Sequence, residues 1–142
     1  MKRINLDMDG TFVNLYGVEN WLEYLEHEDT TPYEVAEPLV NLSLLARLLN
    51  KAARNGYELN IISWTSKCGS IEYNERVAEV KREWIAHHLP SVHFTHINIV
   101  DYGTPKSTCG TGILFDDEER NRSEWNGIAY DACELINVLK SI

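Results

Sequence analysis

Apolar positions recur along the chain at two spacings, and these sort it into strands and helices. Residues Lys2 to Asp7 alternate and then stop at Asp7-Met8-Asp9-Gly10-Thr11, a short buried strand running into a turn. Val18, Trp21, Leu22 and Leu25 share one face of a helix over 18–25, and the polar stretch Glu26 to Pro32 predicts a loop. Leu42, Leu45, Leu48, Leu49 and Ala52 form the stripe of a longer helix over 39–54, stopped by Asn55-Gly56. Leu59, Ile61 and Ile62 predict a buried strand from Tyr57 to Ser63. Val77, Val80, Trp84 and Ile85 predict a helix over 72–88, ended by Pro90. Strands follow over 92–100, 111–115 and 127–130, and a helix over 132–139 closes the chain. Strands alternating with helices imply an α/β fold, a mostly parallel sheet with helices on both faces. In such a sheet the ligand site lies at the carboxyl ends of the central strands.

Composition narrows the picture. The 142 residues suit one domain, 1–142, and 44% hydrophobic content is ordinary for a globular chain. No apolar run approaches the ~18 residues that span a bilayer. Met1-Lys2-Arg3 leads directly into the alternating pattern, without an apolar leader, so no membrane association and a cytoplasmic location are expected. Cys68, Cys109 and Cys133 are odd in number and form no CxxC pair, which reads as reduced thiols. The formal net charge of −9, with no Lys/Arg cluster, argues against long nucleic acid as a partner.

Three predicted strand ends carry the chemistry: Asp7-Met8-Asp9-Gly10-Thr11, Ser63-Trp64-Thr65-Ser66 and Asp116-Asp117, with Lys106 ten residues before Asp116. In a parallel sheet these groups converge on one edge. Each also has a plainer reading. Asp and Gly favour turns, a threonine at a strand end is usually structural, and an Asp-Asp pair often caps a helix. His87 and His88 point about 100° apart on a helix, and His93 and His96 face opposite sides of a strand, so neither pair suits a metal. Gly103 to Ser107 does not satisfy the phosphate-loop pattern. The tryptophans read as core, except that Trp64 could line a pocket and Trp21 its entrance.

The four motifs, in this order, resemble those of the haloacid dehalogenase (HAD) superfamily. Asp7-Met8-Asp9-Gly10-Thr11 matches its first motif, Thr65 after Ile61-Ile62 its second, Lys106 its third, and Asp116-Asp117 after Ile113-Leu114-Phe115 its fourth. Within the superfamily the chain looks most like the small 5′(3′)-deoxyribonucleotidases and related phosphatases, some of them phage-encoded. The likeness is carried by Leu6 to Gly10, Trp64-Thr65-Ser66, Glu83-Trp84-Ile85 with His88-Leu89, and Leu114 to Asp117.

This resemblance implies a three-layer Rossmann-like fold and a Mg²⁺-dependent phosphatase. Asp7, the Asp9 carbonyl and one of Asp116 and Asp117 would bind the metal, Asp116 being favoured because it ends the strand. Asp7 would attack phosphorus and Asp9 would serve as acid and then base. Thr65, favoured over Ser63 and Ser66, would contact the phosphoryl group, together with Gly10, Ser66 and Lys106; Lys67 is the alternative lysine. Asp at position 9 points away from the dehalogenases and P-type ATPases and toward phosphatases. Space for a cap is confined to about 12–37, so the cap is minimal or absent. Cover could come from a second copy in a homo-oligomer. A phosphorylated small molecule, with a nucleoside monophosphate leading, is the implied substrate. Polynucleotide-end phosphatase and inactive binding or regulatory module are the alternatives.

Overall fold

The computed structural model describes residues 2–142. Strand β1 (Lys2–Leu6) leads into an insert made of a two-residue strand β2 (Val13–Asn14), a 3₁₀ turn (Leu15–Gly17), helices α1 (Trp21–Glu26) and α2 (Thr31–Val35), and strand β3 (Glu37–Pro38), which pairs antiparallel with β2. Then come α3 (Leu42–Arg54), β4 (Tyr57–Trp64), α4 (Ile71–His88), β5 (His96–Val100), a 3₁₀ turn (Lys106–Thr108), β6 (Ile113–Asp116), α5 (Glu119–Glu124), β7 (Ala129–Asp131), a second turn (Ala132–Glu134) and α6 (Leu135–Lys140).

Five strands form one sheet in the order β5-β4-β1-β6-β7, every neighbouring pair parallel. The fold is therefore α/β with a parallel sheet flanked by helices, compatible with a Rossmann-like arrangement. Strand order reverses at β1: the chain moves outward through β4 and β5 on one side and through β6 and β7 on the other. Such a reversal opens a crevice at the carboxyl ends of the strands.

Register explains how the sheet is covered. Ile4 lies beside Leu59 and Ile113, and Leu6 beside Ile61 and Phe115, so one face is uniformly apolar. That face packs against Leu45, Leu49 and Ala52 of α3, Trp84 and Ile85 of α4, and Leu135 and Leu139 of α6. The opposite face pairs Asn5 with Asn60 and Leu114. Its apolar cluster is small: Ile62, Leu114 and Trp125. The two buried asparagines are satisfied there. Asn60 donates to Asn5 Oδ1 at 3.3 Å, and Asn5 donates to the Thr111 and Ile113 carbonyls at 2.8 and 3.0 Å.

Several boundaries depart from expectation. The loop predicted over 26–32 runs into α2, because Pro32 in the first turn of a helix lacks only an N–H that would be unpaired anyway. The helix expected from Val18 starts at Trp21, after Asn20 in the left-handed region (φ 61°). α3 begins at Leu42, where Asn41 caps it by accepting from Leu44 N at 3.0 Å. Val92 and Phe94 are buried against the core but precede β5, which begins only at His96. α5 was not foreseen; its sequence, ERNRSE, has no apolar stripe. His88 is half-buried and stacks on Trp84, ring centroids 3.9 Å apart. Among the described residues no helix is long and apolar enough to cross a membrane.

Candidate functional site

The turn after β1 is wound around one carbonyl. Met8 O accepts from the amides of Thr11, Phe12 and Val13 at 3.0–3.1 Å, while Gly10 N donates to Val13 O at 2.9 Å. Gly10 has φ 82°, and a side chain there would run into the Asp117 carboxylate. The glycine thus lets Asp117 approach the turn that follows Asp7. Its amide donates to Val13 O within the turn.

Asp7 is buried and fixed from two sides. Thr11 Oγ1 donates to its Oδ2 at 3.0 Å, and Lys106 Nζ to its Oδ1 at 2.8 Å. Lys106 sits in a 3₁₀ turn and is 4% exposed. It also donates to Asp116 Oδ2 at 2.6 Å. Burial alone would lower its pKa, but the Asp7 and Asp116 carboxylates outweigh burial and raise it, so it stays cationic. Lys67, the alternative lysine, is exposed, lies over the Tyr102 ring and lines the cavity described below, with no ion pair to an acid among the described residues.

Hydrogen bonding separates Asp116 from Asp117. Asp116 is fully buried, and its oxygens accept from Lys106, from Asn121 Nδ2 at 3.1 Å and from Glu118 N at 2.9 Å. Asp117 is half-buried and receives no side-chain hydrogen bond from a neutral or cationic donor. Burial first, then the Asp7 charge, pushes its carboxyl up to about 8. Carboxylate oxygens of Asp7, Asp116 and Asp117 lie within 4.8 Å of one another. Three acids so close, balanced by one lysine, are an all-oxygen donor set that could hold a metal ion.

Ser63, Thr65 and Ser66 divide three roles. Ser63 Oγ accepts from Lys81 Nζ at 2.8 Å. Ser66, expected at the phosphate, lines the cavity described below; its Oγ donates to Asn74 Oδ1 at 2.7 Å and its N donates to the same oxygen at 3.1 Å, and the pair pins the loop after β4. Thr65 is held through its main chain by Val100 O at 2.8 Å, and its hydroxyl is buried with no partner among the described residues. Native buried hydroxyls are rarely left so.

A cavity of about 320 Å³ opens over these groups. Asp7, Asp9, Thr65 and Lys106 line its floor. Trp21 against Tyr16, Trp64 against Tyr102, and Tyr33 also line it, as do Leu22 and Leu25 of α1. The expected residues are therefore brought to one place, at the carboxyl ends of β1, β4 and β6.

One member was missed from sequence. Lys81 of α4 is 2% exposed and its Nζ donates to Asp9 Oδ2 at 2.7 Å. Burial raises the Asp9 pKa, and Lys81 offsets part of that. The signal was present: position 81 falls on the apolar stripe of α4, four residues after Val77 and four before Ile85. Lysine is almost never fully buried unless paired.

No family model matches the chain and no curated protein matches it.

Proposed function

We propose that the chain is a Mg²⁺-dependent phosphomonoester hydrolase of the HAD type, working through an aspartyl-phosphate on Asp7. The observation that carries this reading is the unpartnered, buried hydroxyl of Thr65, a residue that lines the same cavity as Asp7 and Lys106. A donor left open beside a cation and a restrained carboxylate suits an anionic ligand rich in acceptor oxygens.

Asp7, Asp117 and the Asp9 main-chain carbonyl would hold the metal. Asp117 is preferred to Asp116 because the Asp116 oxygens are already taken by Lys106, Asn121 and Glu118. When bound, Mg²⁺ neutralises charge, so that an anionic carboxylate can approach an anionic phosphoryl group. Thr11 and Lys106 aim the Asp7 carboxylate. An Asp7 oxygen forms a bond to phosphorus as the ester P–O bond breaks, and the departing oxygen takes a proton from the Asp9 carboxyl. Water then attacks the same phosphorus, gives its proton to Asp9, and the bond to Asp7 breaks. Thr65 and Lys106 stabilise the transferring group throughout.

The aromatic side chains lining the cavity suit stacking on a flat base beyond the ester, and a nucleoside monophosphate is the proposed substrate. Phosphate release from a panel of phosphomonoesters, with Mg²⁺ and with chelator, tests the reading. Turnover should require the metal and vanish in Asp7→Asn. Metal-independent turnover, or activity retained in that variant, would contradict it.

A further inference from the structure

The stripe of α4 that faces the core contains Val77, Lys81, Trp84 and Ile85. A buried ammonium is costly unless every proton finds an acceptor. All three do: Lys81 Nζ donates to Asp9 Oδ2 at 2.7 Å, Ser63 Oγ at 2.8 Å and the Trp64 carbonyl at 2.7 Å. The Tyr33 ring lies 5.3 Å from the same nitrogen. These acceptors come from the turn after β1 and from the end of β4, so one side chain ties the two strand ends together. Asp9 Oδ2 is occupied by this contact. Its other oxygen, Oδ1, receives no hydrogen bond from the described residues, and Asp9 lines the cavity.

We infer that Lys81 is a positioning residue for Asp9: it grips the carboxyl through Oδ2 and presents Oδ1 to the ester oxygen. The inference rests on the phosphatase reading and deepens it. In the first half-reaction the Oδ1 proton passes to the leaving oxygen as phosphorus is transferred to Asp7. In the second, a proton from the attacking water returns to Oδ1. Without Lys81 the carboxyl can rotate away from that oxygen, and proton delivery is lost while the nucleophile stays in place.

Leaving-group dependence tests this. An alkyl phosphate needs its departing oxygen protonated, whereas p-nitrophenyl phosphate leaves readily without help. Lys81→Met keeps the stem and removes the ammonium. Its kcat/KM should fall about 100-fold or more on the alkyl ester, the scale of a lost general acid, and far less on the aryl ester. Asp9→Asn should show the same selectivity, and the double variant should be no worse than the poorer single one. Ser63→Ala removes one of the three acceptors. It should give a smaller loss of the same kind, and it supplies the test if Lys81→Met does not fold. Equal losses on both esters, or losses that multiply in the double variant, would overturn the inference while leaving the phosphatase reading intact. A wild-type protein that hydrolyses neither ester would overturn the reading itself.

Discussion

A buried hydroxyl without a partner lowers stability, so the residue that carries one is informative. Thr65→Val removes the hydroxyl and breaks no hydrogen bond among the described residues. We expect thermal stability to hold or rise while KM for the phosphomonoester increases about tenfold or more, the worth of a hydrogen bond to a charged group. A variant that loses stability and keeps its KM would refute the role. Asp117 yields a second expectation. Its folded-state pKa, about 8, exceeds the ordinary 3.8, so the metal-free protein keeps a proton that the unfolded chain has lost. That contribution to stability is complete below the ordinary value and fades as pH rises through about 8. Raised pKa values at Asp9 and Asp116 act in the same direction. A cation bound to Asp117 must displace the proton. Calorimetric Mg²⁺ titration near neutral pH should therefore show proton release, seen as heat that depends on the buffer, and Asp117→Asn should reduce it. Heat independent of the buffer would contradict this assignment. At this scale the sequence identified the acids and favoured Asp116 because it ends the strand, whereas the hydrogen bonds of the structure occupy Asp116 and leave Asp117 the freer of the two. Whether Asp116 or Asp117 is open depends on Asn121 and on the Glu118 amide, whose positions follow from a helix that has no periodic signal.

The insert between β1 and α3 is attached to α4 along one edge. The Glu28 carboxylate accepts from Ser70 N and Ser70 Oγ, each at 2.8 Å, and Tyr73 OH donates to the Asp29 carbonyl at 2.9 Å. Tyr33 of α2 packs with Leu15, Tyr73 and Val77. α1, by contrast, buries none of its residues, yet Trp21, Leu22 and Leu25 line the cavity. Glu28 itself is left-handed, at φ 54°. Glu28→Ala keeps that strained backbone and loses both contacts with Ser70. Amide exchange should quicken across roughly residues 15–35 and stay unchanged in β1 and β4. Uniform quickening would mean that the insert is not a separately fastened element. Long helices and the buried strands were legible because their periodicity persists over many residues: the Leu45, Leu48, Leu49 and Ala52 stripe is an example. α2 and α5, of five and six residues, are too short to display a period. Lys81 escaped notice for another reason: a charged residue on an apolar stripe breaks the pattern by which the stripe is recognised.

For the whole molecule, the parallel sheet does the gathering. Asp7, Thr65 and Asp116 are separated by 50 residues or more in sequence but lie at the ends of adjacent strands, with β1 central between β4 and β6. Strand alternation, motif order and the parallel-sheet rule were enough to anticipate that convergence. What they could not supply was the hydrogen-bond wiring, which engages Ser63, Ser66 and the Gly10 amide and leaves the Thr65 hydroxyl open. The central proposal is that phosphorus is transferred to Asp7, and rapid-quench labelling addresses it directly. The Mg²⁺-loaded protein is mixed with a ³²P-labelled phosphomonoester, quenched in acid and digested. Acid-stable, hydroxylamine-sensitive label on the peptide containing Asp7, absent from Asp7→Asn and from chelator-treated protein, is the expected result. Turnover of the ester with no label on the protein, either in wild type or in Asp9→Asn, would contradict the account.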